Sequence, residues 1–101
     1  MEILQTMVFR RWEQNLRDRR AKTLIATRLF RLANGLSGDV KPVGEGVSEM
    51  RISYGPGYRI YFKQQGCRII ILLCGGDKSS QANDITLAKM LARSLDYQEV
   101  F

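Results

Sequence analysis

The feature that most constrains the fold is a pair of alternating runs on either side of Gly55-Pro56-Gly57. Before these residues, Met50, Ile52 and Tyr54 alternate with Glu49, Arg51 and Ser53; after them, Tyr58, Ile60 and Phe62 alternate with Arg59, Tyr61 and Lys63. A period of two puts successive side chains on opposite faces of a strand. Gly-Pro-Gly is a strong reversal signal. The spacing therefore predicts an antiparallel hairpin over 47–54 and 58–63. If Tyr54 pairs with Tyr58, Ser53 opposes Arg59 and Arg51 opposes Tyr61. Parity then gathers Arg51, Ser53, Arg59, Tyr61 and Lys63 on one face, expected to meet solvent, and Met50, Ile52, Ile60 and Phe62 on the other, expected to meet helices.

The rest of the chain arranges itself around this hairpin. Residues 2–5 read as a short strand, and Thr6 can cap a helix over 7–17 in which Val8, Phe9, Trp12 and Leu16 recur at helical spacing. Asp18 can cap a second helix with the apolar stripe Ala21, Leu24, Ile25, Leu29 and Leu32, closed by Gly35 in the left-handed region. The stretch 38–46 is rich in turns and leaves room for an edge strand over 39–43 around Pro42. Gln64-Gln65-Gly66 reads as a turn. The run 67–74, bounded by Cys67 and Cys74, is apolar throughout, as a central strand is. Gly75-Gly76-Asp77-Lys78 should end that strand. Ser79 or Ser80 should cap a last helix carrying Ile85, Ala88, Leu91, Ala92 and Leu95. The expected fold is α+β: β-α-α, then a three- or four-stranded antiparallel sheet and a C-terminal helix, with helices mainly on one sheet face. At 101 residues this is a single domain, 1–101.

Composition narrows the functional classes. The longest apolar run, Ile69 to Cys74, is far below the ~20 residues of a spanning helix, and the first residues lack the basic start and apolar core of a secretion signal. No membrane association is expected. There is no histidine, which excludes Ser-His-Asp and Cys-His catalysis. Two cysteines without histidine make no metal site, so no metal is expected. An odd spacing along one strand points Cys67 and Cys74 to opposite faces about 23 Å apart, too far to pair; they are expected to be two buried thiols in a reducing compartment. The net charge of +6 is concentrated: residues 10–31 hold eight basic side chains and two acids, while the remainder is neutral. A surface so charged suits a polyanion or an acidic protein segment, though a plain solvated helix surface has the same composition.

The cationic hairpin face carries the sharpest chemical suggestion. Arginine forks hold phosphate bidentately, and an aromatic side chain stacks on an unstacked base. Arg51, Ser53, Arg59, Tyr61 and Lys63 beside Gly75-Gly76-Asp77-Lys78 would make a phosphate-backbone surface. The alternative is an ordinary solvated face with Arg51 neutralised by Glu49. Gly75-Gly76 ahead of a helix is a weaker sign of an anion site and is as readily a turn. Trp12 reads as a core anchor, and Tyr54 and Tyr58 as core contributors.

The segments Val40-Lys41-Pro42-Val43-Gly44-Glu45-Gly46-Val47-Ser48-Glu49-Met50-Arg51-Ile52, Gly55-Pro56-Gly57-Tyr58-Arg59-Ile60-Tyr61-Phe62 and Leu72-Leu73-Cys74-Gly75-Gly76-Asp77-Lys78-Ser79 resemble the toxins of the RelE/ParE superfamily. The nearest likeness is to the HigB-like addiction module killer proteins. The resemblance implies a RelE-like fold and a cytoplasmic toxin of a type II toxin–antitoxin module. Its partners would be a small helix-turn-helix antitoxin, the ribosome and mRNA, and no cofactor is implied. RelE-like members are metal-independent endoribonucleases in which the ribose 2′-OH attacks the adjacent phosphate. Arg59 matches the family arginine at the scissile phosphate, Arg51 a basic residue one strand earlier, and Lys78 a basic residue at the end of the last strand. Lys63, Ser53 and Arg59 would contact RNA. The tyrosine or histidine that relatives use as proton carrier is missing. Tyr61, Tyr54, Asp77 or a lysine could stand in, with Asp77 preferred beside Lys78, although a turn aspartate bonded to its own backbone is an equal reading. ParE-like relatives of the same fold instead poison DNA gyrase, and a catalytically inactive nucleic-acid-binding relative is the third class. In each case the basic helices, Arg17, Arg19 and Arg20 among them, would receive an acidic antitoxin segment.

Overall fold

The computed structural model describes residues 1–95 and Val100. Strand β1 (Glu2–Gln5) leads into α1 (Met7–Asn15) and α2 (Arg19–Ala33); β2 (Val40–Gly44), β3 (Val47–Ile52), β4 (Tyr58–Gln65) and β5 (Ile69–Gly76) follow. A 3-10 turn at Lys78–Ser80 then opens α3 (Gln81–Arg93). The five strands form one sheet in the order β1-β5-β4-β3-β2. Strands β2 to β5 are an antiparallel meander, and β1 joins β5 in parallel. The α+β class stands, but the sheet is mixed and larger than the three or four antiparallel strands expected, because the short first strand adds to its edge.

Local chemistry explains the boundaries. The Thr6 hydroxyl accepts from the Phe9 amide and donates to the Leu73 carbonyl at 2.6 Å, so one side chain starts α1 and ties it to β5. Asp18 caps α2 through the amides of Arg20 and Ala21. At the far end Gly35, with φ 82°, lets the Gly35 and Leu36 amides return to the Leu32 and Arg31 carbonyls, a Schellman closure. Between β2 and β3, Glu45 and Gly46 both have positive φ (55° and 77°), the geometry of a tight hairpin loop.

The hairpin parity is as expected, but the register is not. Ile52 pairs with Tyr58, Arg51 with Arg59 and Glu49 with Tyr61, two residues away from the Tyr54–Tyr58 pairing. Helices α1 and α2 cover one face through Phe9, Ile25, Leu32, Met50, Ile52, Ile60, Phe62, Ile70 and Leu72. The other face is not bare. Helix α3 lies on it, burying Val47, Tyr61, Ile71, Leu73, Cys74, Ala88 and Ala92 in a second core. Helices thus pack on both sides, not mainly on one. The polar side of the hairpin is largely a sealed layer: Glu49 and Tyr61 are both fully buried.

Strand β5 also departs from simple alternation. Tyr61 pairs with Cys74 but Phe62 with Leu72, so Leu73 is an extra residue, a bulge. After it the parity inverts, and Leu73 and Cys74 share the α3 side. The strand starts at Ile69 and runs through Gly75 and Gly76, not over 67–74. Cys67 therefore lies in the turn and is exposed, while Cys74 is buried; the expectation of two buried thiols fails for the first. Among the described residues no helix is long and apolar enough to cross a membrane.

Candidate functional site

Helix α3 leaves one end of the hairpin uncovered. There a cleft of about 380 Å³ opens, lined by Asp39, Arg51, Ile52, Ser53, Gly57, Tyr58, Arg59 and Lys78. The lining includes three cations and one carboxylate, so it favours anions. Each cation arrives on a different element. Arg51 comes from β3, Arg59 from β4 directly opposite, and Lys78 from the 3-10 turn beyond β5. The Lys78 amide is tied to the Pro56 carbonyl, which docks the 3-10 turn onto the hairpin loop.

Two like charges directly opposite on one sheet face repel. Here each has its own carboxylate. Arg51 donates to Asp39 through Nε and Nη2 at 3.2 and 2.9 Å, at the solvent rim. Arg28 of α2 reaches the Arg51 carbonyl at 2.8 Å and steadies that strand end. Arg59 is mostly buried. Its Nη1 donates to the Gly57 carbonyl at 2.9 Å, and its Nε lies 3.8 Å from Glu49 Oε2 beneath the cleft. Gly57 has φ 78°, and a Cβ there would sit 3.3 Å from Arg59 Nη1 and 3.5 Å from Lys78 Cβ, so glycine keeps the cleft open.

The structure brings together Arg51, Ser53, Arg59 and Lys78 and separates the other site residues expected from sequence. Tyr61 faces α3, donates its phenol to Glu49 at 2.9 Å and lines no cleft. Burial above all, then that hydrogen bond, holds its pKa far above the ordinary value, so it is no proton acceptor. Tyr54 donates to Asp18 at 2.8 Å and lies outside the cleft. Lys63 pairs with Val47 and Ile71, four residues along β4 from Arg59 and therefore about 13 Å away. Asp77 caps the 3-10 turn, accepting from the Ser79 hydroxyl and amide, while the Asp77 amide donates to the Ser80 hydroxyl oxygen. The Ser79 hydrogen bonds, side chain first, lower its pKa and make it a weaker base. The turn-aspartate reading is the one the geometry supports. Ser80 occupies the N-cap position of α3, one of the two expected, without a side-chain cap hydrogen bond there.

Gly75-Gly76 is neither a turn nor an anion cradle. A Cβ on Gly75 would overlap the Trp12 ring, and one on Gly76 the Asp84 carboxylate. The pair lets α1 and α3 approach the sheet from opposite sides. Trp12 is the core anchor expected, tilted on Phe9 and edge-on to Tyr58. Arg17, Arg19 and Arg20 are exposed, away from the cleft lining. The Arg20 guanidinium lies 5.7 Å over the Tyr54 ring. Sequence reasoning missed Asp39 and misassigned Glu49. The first lies outside the alternating runs, and the second took its role from α3, whose docking no local pattern encodes.

Fold and cleft together define a small α+β protein with a cationic cleft at one end of a mixed sheet. No family model matches the chain. An uncharacterized protein of Haemophilus influenzae is 47% identical over 95 residues, spanning 94% of this chain and 96% of its own length. The chain belongs to the same family as that protein.

Proposed function

We propose that the chain is the toxin of a type II toxin–antitoxin module, with a RelE-like fold, and that its cleft binds the scissile phosphate of mRNA on the ribosome. The observation that carries this is the convergence of Arg51, Arg59 and Lys78 on one open cleft. In the proposed reaction the 2′-hydroxyl gives its proton to solvent as its oxygen bonds to phosphorus, and the bond from phosphorus to the 5′-oxygen breaks as that oxygen takes a proton from solvent. The products are a 2′,3′-cyclic phosphate and a 5′-OH. Guanidinium and ammonium groups offset the charge that gathers on the phosphorane oxygens. The protein would act in the cytoplasm, with a small helix-turn-helix antitoxin as its other partner. The test is expression without a partner followed by mapping of transcript ends. New 5′-OH ends within translated frames are expected, and intact mRNA during growth arrest would overturn the proposal.

One observation favours a second reading. Tyr61 and Asp77, the proton acceptors expected from sequence, are committed elsewhere. A binding toxin needs no acceptor, and ParE-like poisoning of DNA gyrase is the specific form. Purified chain would then trap cleaved DNA in a supercoiling assay; no trapped complex removes this option. Salt-dependent RNA binding without toxicity would mark an inactive nucleic-acid-binding relative.

A further inference from the structure

Glu49 is a carboxylate with no exposed surface in β3, the strand that also carries Arg51, and Arg59 stands opposite Arg51 on β4. Sealing a carboxylate under a helix costs several kcal/mol unless it is paired and hydrogen-bonded. Its Oε2 accepts from Tyr61 Oη and from Gln81 Nε2, each at 2.9 Å, and lies 3.8 Å from Arg59 Nε. The cation that compensates it is therefore a residue of the cleft.

We propose that Glu49 is a positioning residue for Arg59, a buried counter-charge that holds the guanidinium at the cleft for one phosphate. The inference rests on the phosphate-cleft reading given above. Three features carry it. Asp39 takes Arg51 from the rim and Glu49 takes Arg59 from below, so the opposed arginines are drawn to separate anchors and not onto one another. The Gly57 carbonyl holds Nη1 and Glu49 faces Nε, while Nη2 makes no hydrogen bond among the described residues. That leaves one corner of the fork for an incoming oxygen. Finally, among the described residues the buried polar side-chain atoms without a hydrogen bond are Glu49 Oε1 and Arg59 Nε, which belong to the two partners of this same ion pair. Each partner keeps one buried atom without a hydrogen bond, so it is the charge of Glu49 that faces Arg59 Nε. Gln81 is the first residue of α3, so the seating of that helix is passed through Glu49 to the cleft.

The test is Glu49→Gln, which keeps the shape and removes the charge. The Arg59 Nε–H, followed by ¹⁵N NMR, should exchange with water at least roughly tenfold faster than in the unaltered chain as its anchor loosens. In single-turnover cleavage on programmed ribosomes, the saturating rate should fall roughly tenfold to a hundredfold, as misplacement of a charged group does. The half-saturating concentration should move less than about threefold. Unchanged exchange and an unchanged saturating rate would overturn the proposal. If Glu49→Gln does not fold, Gln81→Met outside the cleft should shift both readings in the same direction by a smaller factor, and no shift overturns the proposal. If the unaltered chain cleaves no RNA, the nuclease reading is lost, and Nε–H exchange alone then decides the positioning role. Faster exchange in the variant sustains it; equal exchange ends it.

Discussion

At the scale of single residues, the ion pair under the cleft governs how substitutions behave. Arg59→Ala should abolish toxicity, but it also strands the Glu49 carboxylate under α3 and should cost on the order of 3 kcal/mol of stability. The double substitution Arg59→Ala with Glu49→Gln should recover most of that loss while staying non-toxic. Urea unfolding beside a growth assay separates the two effects; equal loss in the single and double variants would show that the pair is not coupled. Tyr61 contributes to the alkaline limit. Its folded pKa is raised, first by burial and then by Glu49, so its contribution is complete below the unfolded value of 10.0 and is lost as pH climbs beyond it. Tyr61→Phe should flatten that alkaline limb in pH-dependent unfolding. The two thiols differ in kind. Burial, then the Asp84 charge, pushes the Cys74 thiol up to about 12, whereas Cys67 is exposed. One equivalent of alkylating reagent should enter the folded chain, at Cys67, and a second only after unfolding, as counted by mass spectrometry.

At the scale of elements, small residues decide where helices can sit. Gly75→Ala drives a Cβ into the Trp12 ring between α1 and β5 and should destabilise by about 1–3 kcal/mol without altering the cleft charges. Thermal unfolding measures this, and an unaltered midpoint would show that α1 yields at no cost. The helix and turn caps Asp18 and Asp77 both have lowered pKa values, Asp18 chiefly through Tyr54 and Asp77 chiefly through Ser79. Their stabilisation is present above the model-peptide value of 3.8 and is lost as pH falls through the lower folded values, so both caps feed acid unfolding. Most of these elements were legible in the amino-acid order, because caps such as Thr6, Asp18 and Gly35 and strict alternation around Gly55-Pro56-Gly57 are local signals. The bulge at Leu73 was not. An all-apolar strand offers no polar residue to mark the inversion of parity, so its end was misjudged, and Cys67 is exposed because the strand starts only at Ile69.

At the scale of the whole molecule, charge is divided between two places. The cleft gathers three cations from separate elements, and the helices hold the concentrated +6 of residues 10–31. If an acidic antitoxin segment lands on those helices, reversing Arg17, Arg19 and Arg20 should slow its association and flatten the salt dependence, as stopped-flow mixing would read. An unchanged on-rate would place the landing site elsewhere. The cleft cations Arg51, Arg59 and Lys78 were recognisable from alternation and motif, since side-chain parity survives a two-residue change of register. Tyr61 and Lys63 lie away from the cleft because parity says only which side a residue faces, not what lies over it, and Asp77 follows the turn-aspartate reading held beside the catalytic one. Sequence alone determined the elements, their caps and the two sides of the hairpin, all of which follow from backbone periodicity and short-range hydrogen bonding. Only the tertiary structure decided that α3 covers the polar side, turning Glu49 and Tyr61 into a sealed network and leaving Arg51, Arg59 and Lys78 at an open end. That choice depends on apolar area and close approach between segments far apart along the chain.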